Sequence, residues 1–558
     1  MNLGSILKER GLLNADQLIK AESYAQSKKI PLGSAIQRLN LAAKEQIYMT
    51  VAESIGVPYV DLSSYEISPD CTKLIAQETA RRYRAIPLFK IQQTLTVAME
   101  DPTKLAAIDR IRHESKMEIE LCLAAPEDVQ EALDRYFGVS GTISKLLASL
   151  DAEDKVRRRG SAPPKAKPLS FEATGGEQPI VQLVNLIVEE AVERGASDIH
   201  IEPEANELRV RYRIDGVLQE APSPPKHYES AIVSRLKVLA NLDIAETRMP
   251  QDGQMKIQVK SRAIDIRVSV VPTIYGENAV LRILDTNRAL LDLKQLGFAD
   301  AMLHQFEELI RKSYGMILVT GPTGSGKTTS LYAALTAINS VERSIVTIED
   351  PVEFKLSLIR QIQVNPKAQL TFANGLRSIV RQDPDVIMVG EIRDSETAHI
   401  ATQAALTGHL VFSTLHTQNA AGAITRLDDM GVEPFYISSS LLCVVAQRLV
   451  RTICGQCKKT YDPPSDILNA IPAKHRSEMK FYKGKGCQKC QQTGYRGRIG
   501  IFELLRMTDA IRRMIAKKAV SADIQQQAEA DGMQTLFLDG LEKVKAGITT
   551  IDEILKVM

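Results

Sequence analysis

Tryptophan is absent from this 558-residue chain, and aromatic residues make up only 5% of it. No apolar run approaches the ~18 residues that a transmembrane helix needs, so no membrane-spanning segment is expected. The first residues, MNLGSILKERGLL, lack the apolar stretch and small-residue cleavage site of a secretory signal. We therefore expect a cytoplasmic protein, in which structural disulfides are rare because the compartment is reducing.

A charge excess of either sign is also missing. The chain has 70 basic and 68 acidic side chains, a formal net charge of +2 at pH 7. Such a balance gives no overall attraction to nucleic acid or to an anionic membrane. The 15 tyrosines and 12 phenylalanines provide little material for a base-stacking groove. No nucleic-acid partner is therefore expected.

The sequence patterns divide the chain into several parts, as its length requires. The N-terminal part contains a weak helical repeat, because "NLGSILKERGLLNADQL" aligns with "PLGSAIQRLNLAAKEQI". The predicted parts are a helical repeat domain at 1–60, an α+β segment at 61–139, a flexible linker at 140–178, an α+β domain at 179–295, and an α/β domain at 296–558 that ends in helices from about 507.

Apolar strands alternate with helical segments from about residue 297 onwards, as in "GMILVTG", "SIVTIED", "DVIMVGE" and "HLVFSTLH". This order predicts a mainly parallel sheet covered by helices on both faces. The predicted fold class is a multidomain protein with an α/β core. An α+β domain and an N-terminal mainly helical region precede the core.

A phosphate-binding loop is predicted where the strand Met316–Val319 runs into "GPTGSGKTT" and then into a helix. The stretch satisfies G-x-x-x-x-G-K-[ST] in the strand–loop–helix setting that the motif requires. Glycines let the loop curl so that backbone amides point at phosphate oxygens. Lys327 is expected to neutralise phosphate charge, and the Thr328 hydroxyl is expected to bind Mg²⁺. The predicted nucleotide-binding residues are Gly321, Pro322, Thr323, Gly324, Ser325, Gly326, Lys327, Thr328 and Thr329.

Acidic residues at the ends of two later strands are candidates for the chemical step. "DVIMVGE" ends in Glu391, with Gly390 where many P-loop enzymes have a Mg²⁺-linked aspartate. Glu391 is therefore predicted to orient or deprotonate the attacking water. Glu349 and Asp350, which end "SIVTIED", are predicted to complete the outer shell of Mg²⁺. Acids that merely cap strand ends are the alternative for all three.

Two histidines flank the strand in "GHLVFSTLH". A histidine at a strand end near phosphates can sense the γ-phosphate or hold a carboxylate. We predict this role for His416 and consider it for His409.

Four of the seven cysteines form two C-x-x-C pairs, Cys454 with Cys457 and Cys487 with Cys490, within 450–497. Two such turns can close a tetrahedron around Zn²⁺. A redox couple normally shows a single C-x-x-C, and a nucleophilic cysteine needs a general base nearby, so structural zinc is favoured over both. Four sulfurs leave no open ligand position, and zinc is not expected to take part in hydrolysis. The remaining cysteines, read as small buried hydrophobes, are Cys71, Cys122 and Cys443.

These motifs resemble those of the GspE/PilB family of secretion ATPases, which power type II secretion and type IV pilus extension. "GPTGSGKTT" is similar to the family's Walker A motif, "TIEDPVE" to its Asp box, "RQDPDVIMVGEIRD" to its Walker B motif and "TGHLVFSTLHT" to its His box. "GASDIHIEP" and "RMPQDG" resemble hallmarks of the domain that precedes the ATPase core. The resemblance covers nearly the whole chain and implies a Mg²⁺-dependent ATP hydrolase. It also implies an α/β P-loop (RecA-like) core that carries a small zinc-binding subdomain.

The resemblance also implies a homohexameric ring in which arginines from the preceding small domain complete each site. The match to "DIRVSVVPTIYGENAVLRIL" points to Arg267 and Arg282, with surface arginines on alternating strands as the alternative. A guanidinium at the γ-phosphate would stabilise the charge of the transition state. The runners-up are Arg209, Arg211 and Arg213.

As partners, the resemblance implies an inner-membrane platform protein and a docking protein facing the cytoplasm, which recruits the ring to the inner membrane. The cysteine-containing segment resembles the metal subdomain of assembly members, which the retraction members lack. "RLDDMGVEPFYISSSLLCVVAQRLVRTIC" is closer in wording to type II secretion members, while type IV pilus extension stays open.

The N-terminal repeat resembles the family domain that binds cyclic di-GMP in some members. Asn2 and Pro31 occupy the places where those members carry arginine, and Asn40 replaces a glycine. Because phosphate capture normally uses arginine, a partner-docking domain is favoured over a cyclic-dinucleotide receptor. Two rivals to the motor as a whole are a P-loop motor that translocates nucleic acid and a regulatory scaffold that binds nucleotide without turnover.

Overall fold

The computed structural model describes residues 3–28, 32–39, 41–62, 71–137, 179–259, 262–284, 291–472 and 479–558, with single positions 65, 67, 143, 146, 147 and 476. The chain divides into two compact units, Met1–Val259 with Ile266–Ile283, and Leu284–Met558 with Lys260–Asp265. Most of the predicted linker, and the positions Asn2, Pro31 and Asn40, lie outside the described residues.

The first unit begins with short helices packed on a small apolar core. Leu7, Ile36 and Ile47 are fully buried in this core. The fourth helix ends at Gly56, whose φ of 72° is the left-handed conformation that commonly closes a helix. The helices are α1 Leu3–Glu9, α2 Ala15–Lys28, α3 Leu32–Arg38 and α4 Lys44–Ile55.

A three-stranded sheet follows, within the segment predicted as α+β. Strand β1 Ala85–Ile91 pairs antiparallel with β2 Thr94–Met99, and β3 Glu118–Leu123 pairs parallel with β2. The helices around this sheet are α5 Gln77–Tyr83, α6 Leu105–Ser115 and α7 Pro126–Phe137.

A six-stranded sheet forms the rest of the first unit. Asp215 and Gly216 have φ values of 50° and 86° in a two-residue turn, as an Asp-Gly pair between hairpin strands favours. The elements are α8 Pro179–Glu193, β4 Asp198–Pro203, β5 Leu208–Ile214, β6 Val217–Glu220, α9 Glu229–Leu239, β7 Gln251–Val259, β8 Arg262–Thr273 and β9 Gly276–Leu284. Their order across the sheet is β6-β5-β4-β9-β8-β7.

The strands of the second unit are β10 Gly315–Thr320, β11 Ile345–Glu349, β12 Ile359–Gln363, β13 Val386–Val389, β14 Leu410–Leu415, β15 Leu441–Ile453, β16 Lys458–Thr460, β17 Tyr482–Gly484 and β18 Tyr495–Arg506. Seven of them form one sheet in the order β12-β11-β13-β14-β10-β15-β18. All its neighbours are parallel except β15 and β18, which are antiparallel. The carboxyl ends of the parallel strands therefore meet at one edge of the sheet.

Helices cover both faces of this sheet, as the alternation of strands and helices predicts. Met316 and Leu318 pack in the core on one face, and Ile317 and Val319 pack in the core on the other. The helices are α10 Asp300–Ile310, α11 Lys327–Ile338, α12 Phe372–Ile379, α13 Ser395–Leu406, α14 Ala420–Asp429, α15 Pro434–Ser440, α16 Ser465–Asn469, α17 Asp509–Ala516, α18 Ser521–Ala530, α19 Leu536–Lys545 and α20 Ile551–Val557.

Two ion pairs lie where the last helices contact β15 and β18. Arg451 Nη2 lies 2.6 Å from Glu553 Oε1. Asp539 Oδ2 lies 2.5 Å from Lys543 Nζ and accepts a hydrogen bond of 2.8 Å from the backbone amide of Phe502. Breaking such a pair costs several kcal/mol, because it leaves one charge buried and unpaired.

The architecture confirms the predicted fold class, with a parallel P-loop sheet, an α+β domain before it, a helical N-terminal region and a cysteine cluster. Cys71, Cys122 and Cys443 are buried, as predicted. The limits given for the individual domains stay predictions.

Candidate nucleotide site and cysteine cluster

The phosphate loop leaves the carboxyl end of β10, a fully buried strand between β14 and β15. Gly321, Gly324 and Gly326 have φ values of 151°, 79° and 89°, which side chains rarely allow. A Cβ on Gly321 would lie 2.5 Å from the carbonyl oxygen of Gln447, and one on Gly326 would lie 2.8 Å from Gln447 Nε2. Two of these glycines are therefore required both by conformation and by the close approach of β15.

Lys327 is the first residue of α11, and its ammonium group folds back on the loop. Its Nζ donates to the carbonyl oxygens of Gly321 at 2.9 Å and Pro322 at 3.1 Å. Burial lowers the pKa of Lys327, the charge of Glu391 opposes that effect, and the charge of Arg448 adds to it. Lys327 thus lies within electrostatic reach of both Glu391 and Arg448.

The loop contains a buried donor that nothing in the described protein satisfies. The Oγ of Ser325 is buried and lacks a hydrogen-bond partner among the described residues, which is the kind of group that a bound ligand can satisfy. Pro322, Thr323 and Thr328 are exposed along the rim of the loop. The loop therefore fits the phosphates of a nucleotide, with the Thr328 hydroxyl at its open side.

Glu391 follows β13 at the same edge of the sheet and is held on two sides. His416, just after β14, places its Nε2 3.2 Å from Glu391 Oε2, and the Arg393 guanidinium contacts Oε1. Gly390 passes close to β11, since a Cβ there would lie 3.3 Å from the carbonyl oxygen of Ile348. The structure thus brings His416 into contact with a carboxylate, one of the two roles predicted for it.

Glu349 ends β11, but its carboxylate is engaged within the protein. It accepts hydrogen bonds from the Tyr332 hydroxyl, from Thr347 Oγ1 at 2.6 Å and from Gln361 Nε2 at 3.1 Å. Asp350, the next residue, is exposed. Of these two acids, Asp350 is the one open to solvent, and the Mg²⁺ role predicted for the pair stays a prediction.

His409 does not belong to the phosphate edge, contrary to the possibility considered from the sequence. It precedes β14, whereas His416 follows it, so the two histidines lie at opposite ends of the strand. Its Nδ1 is 2.9 Å from the carbonyl oxygen of Ala404. A position before a parallel strand is at the amino edge, which explains the error.

The two predicted arginines lie in the first unit, on neighbouring strands. Arg267 is on β8 and Arg282 on β9, and both line a cavity of about 760 Å³. The Arg282 side chain is 64% exposed, although its Nε lies 3.1 Å from Asp198 Oδ1. Both arginines reach the surface of the cavity, and their role at a nucleotide stays a prediction.

The runner-up arginines are engaged with carboxylates of their own sheet. Arg209 Nη1 lies 2.7 Å from Glu204, Arg211 Nη2 lies 2.8 Å from Glu202, and Arg213 Nε lies 3.6 Å from Asp198.

The four predicted cysteines come together at the tip of the β15–β18 ribbon. Their sulfurs all lie within 4.8 Å of one another. The Sγ–Sγ distances are 3.7 Å for Cys454–Cys487, 3.8 Å for Cys457–Cys490 and 3.6 Å for Cys487–Cys490. A zinc tetrahedron with bonds of ~2.3 Å has sulfur–sulfur edges of ~3.8 Å. The cluster therefore fits Zn²⁺ in both ligand type and spacing.

Sequence reasoning missed Gln447 and Arg448, which pack on the phosphate loop from β15. Gln447 Oε1 accepts a hydrogen bond of 2.8 Å from Ser330 Oγ in α11, and Arg448 lies beside Gly321. The available signal was two adjacent polar residues inside the apolar strand "LLCVVAQRLV". A buried strand has no place for such residues unless they have partners.

A parallel sheet with a phosphate loop at its carboxyl edge and an acid after a neighbouring strand defines a P-loop nucleoside triphosphatase. Residues 173–556 match the family model of type II/IV secretion system proteins, and residues 55–143 match that of the MshEN domain. The chain belongs to the type II/IV secretion system protein family, and it is an ATPase of that family.

Named relatives come from two kinds of machine. The chain is 40% identical over 558 residues to the type IV pilus assembly ATPase PilB of Myxococcus xanthus, covering 99% of this chain and 98% of the relative. It is 51% identical over 381 residues to the type II secretion system ATPase E of Vibrio cholerae, covering 68% and 76%. The Legionella pneumophila ATPase DotB has a similar fold, with a TM-score of 0.51 at 20% identity over 70% of this chain and 97% of that one.

None of the helices in the described ranges combines the length and the apolarity needed to cross a membrane.

Proposed function

We propose that the chain hydrolyses ATP in a Mg²⁺-dependent reaction at the phosphate loop, as a motor for assembling a pilus or pseudopilus. One observation carries the proposal: Glu391, in contact with His416, lies at the same carboxyl edge of the sheet as Lys327, and its charge opposes the lowering of the Lys327 pKa by burial. A phosphate-binding cation and a positioned carboxylate at one sheet edge are the two groups that phosphoryl transfer to water needs.

Each group has a defined task in this proposal. Lys327 would leave the loop carbonyls and pair with phosphate oxygens, and the Thr328 hydroxyl would hold Mg²⁺. The bound Mg²⁺ would supply positive charge to the phosphates. Glu391 would accept the proton of the attacking water while His416 fixes its second oxygen.

Further parts of the proposal concern the assembly. We propose a homohexamer in which Arg267 and Arg282 of one protomer reach the nucleotide of another, in line with their solvent-accessible places on β8 and β9. The ring would be cytoplasmic and recruited to the inner membrane through a docking protein and a platform protein. The four cysteines would hold a structural Zn²⁺ that takes no part in hydrolysis.

The choice between the two machines is not decided by the relatives. Identity is higher to the secretion ATPase but over a shorter part of the chain, so 51% and 40% are not directly comparable. We favour type II secretion on the wording of the segment that contains Gln447 and Arg448. For the N-terminal helices we favour a role in partner docking over a role in binding cyclic di-GMP, because the match to the MshEN domain begins only at residue 55, after most of the helical repeat.

Steady-state phosphate release by the purified full chain tests the proposal. We expect release that requires Mg²⁺ and rises when the platform protein is added in vesicles. Stimulation by DNA in place of the platform protein would favour a nucleic-acid motor. Turnover no faster than that of Glu391→Gln would favour a regulatory scaffold.

A further inference from the structure

Arg448 is a buried cation in contact with the phosphate loop. Arg448 lies on β15 and is only 6% exposed. A Cβ placed on Gly321 would lie 3.2 Å from Arg448 Nη1, so the guanidinium fills the space directly beside the first glycine of the loop.

The partners of this guanidinium are all neutral. Nη1 donates to the carbonyl oxygen of Gln447 at 3.1 Å, and Nη2 donates to Gln418 at 2.6 Å (carbonyl oxygen) and 3.0 Å (Oε1). No carboxylate of the described chain pairs with it. Arg451, on the same strand, is by contrast paired with Glu553. The charge of buried Glu503 on β18 acts on Arg448 without a direct ion pair. A buried charge that lacks a direct ion pair is costly, so its retention needs another explanation.

Arg448 also lies within electrostatic reach of Lys327. Burial lowers the pKa of Arg448, and the charge of Glu503 opposes this effect. Burial also lowers the pKa of Lys327; there Glu391 opposes the effect and the Arg448 charge adds to it. Two cations thus repel each other at one loop. An anion that carries several charges relieves this repulsion, and the relief grows with the charge of the anion.

We propose that Arg448 is a positioning residue of the nucleotide site. Its guanidinium places a buried positive charge beside Gly321, where it attracts a bound polyphosphate, and it also links Gln418 to β15. The inference rests on the proposed nucleotide function and adds a residue that no motif of the phosphate loop contains. Because Gln418 lies two residues after His416, the Arg448 side chain links the segment that holds Glu391 to the phosphate loop.

The segment after β14 has a second anchor that does not involve Arg448. The Thr320 and Thr417 hydroxyls are 2.7 Å apart, and the Thr417 amide donates to Thr320 Oγ1 at 2.9 Å. Removal of Arg448 should therefore leave this segment in place, and the main loss should be electrostatic.

The test compares the affinities of the full chain for fluorescent ATP and ADP without Mg²⁺, at fixed ionic strength. For Arg448→Gln we expect affinity to fall about tenfold for ATP and about threefold for ADP, because ATP carries more charge. Arg448→Lys should stay within about threefold of the wild type for both. Arg448→Met serves as a second neutral variant, since apolar side chains often replace buried ions without loss of folding.

Arg451→Gln is the matched control, because it removes a partly buried arginine of the same strand away from the loop. It should melt at a lower temperature and keep the wild-type preference for ATP over ADP. The inference is overturned if folded Arg448→Gln or Arg448→Met binds both nucleotides like the wild type, or loses affinity equally for both. Failure of the wild type to bind either nucleotide would instead remove the proposed function.

Discussion

His416 Nε2 lies 3.2 Å from Glu391 Oε2, across the carboxyl ends of the neighbouring parallel strands β13 and β14. The Glu391 side chain is 14% exposed and that of His416 is 47% exposed. The carboxylate is thus largely enclosed, and the imidazole covers it on the solvent side. A carboxylate held in this way keeps its orientation before substrate arrives, as the proposed general base would need to.

Replacing Glu391 tests this assignment. Glu391→Gln keeps the shape and can still contact His416, but it cannot accept a proton. We expect phosphate release to fall by about 10²-fold or more, with ATP affinity close to that of the wild type. Glu396→Gln, an exposed acid on α13, is the control and should turn over normally. Normal turnover by Glu391→Gln would remove Glu391 from the chemical step.

The glycine at the start of the loop can be tested by a single methyl group. In Gly321→Ala the new Cβ would lie 2.5 Å from the Gln447 carbonyl oxygen, so the loop or β15 must move. We expect loss of ATP binding and a decrease in the free energy of unfolding of about 1–3 kcal/mol, measured by urea denaturation. Gly408→Ala also has positive φ but open space around it, and it should keep ATP binding. Equal ATP affinity in both variants would contradict the packing explanation.

If the four cysteines bind Zn²⁺, the metal content of the purified protein follows. The purified chain should contain about one zinc per chain, and Cys457→Ser should contain much less. Cys71→Ala, a buried cysteine outside the cluster, should keep its zinc. Elemental analysis and thiol titration measure this. Four freely titratable thiols in the metal-containing wild type would show that the cluster is not the site.

The Arg451–Glu553 pair predicts a pH dependence of stability. Although burial opposes it, hydrogen bonding from Arg451 and Lys556 lowers the pKa of Glu553 to about 2. A lowered pKa stabilises the fold above the unfolded-state value of ~4.3, and the gain disappears as pH falls towards 2.

The free energy of unfolding of the wild type should exceed that of Glu553→Gln by about 2–3 kcal/mol at pH 6. The difference should shrink steadily between pH 4.5 and pH 2. Urea denaturation of both proteins at each pH measures it, and any loss of zinc in acid affects both alike. A difference that stays constant down to pH 3 would show that the carboxylate charge is not responsible.

Loss of Arg267 or Arg282 should slow ATP turnover without weakening ATP binding. Arg282→Ala and Arg267→Ala should bind ATP and fold like the wild type but release phosphate at least about tenfold more slowly. Arg209→Ala removes an arginine paired with Glu204 and Glu207 on the same sheet, and it should be active. Hexamers of both variants with full turnover would place neither arginine at a nucleotide.

The fold and the loop could be predicted because their signals are contiguous in the sequence. The phosphate loop is one uninterrupted motif, and the sheet follows from strands that alternate with helices. The orientation of Glu349 could not be predicted, since it depends on Tyr332, which reaches it from α11. Arg448 could not be assigned either, because its contact with Gly321 joins strands that are distant in sequence. The position of His409 could be predicted, because the direction of β14 alone places this residue at the edge of the sheet opposite to the phosphate loop.

Strand β15 passes the phosphate loop at Gln447 and Arg448, continues to Ile453, and leads directly into Cys454. At ~3.3 Å per residue, the path from Arg448 to Cys454 is only about 20 Å, and β18 stiffens it along its length. The phosphate loop and the cysteine cluster are therefore joined by one short, paired segment of β15. We therefore expect a dye attached beside the cysteine cluster to respond when nucleotide binds at the phosphate loop.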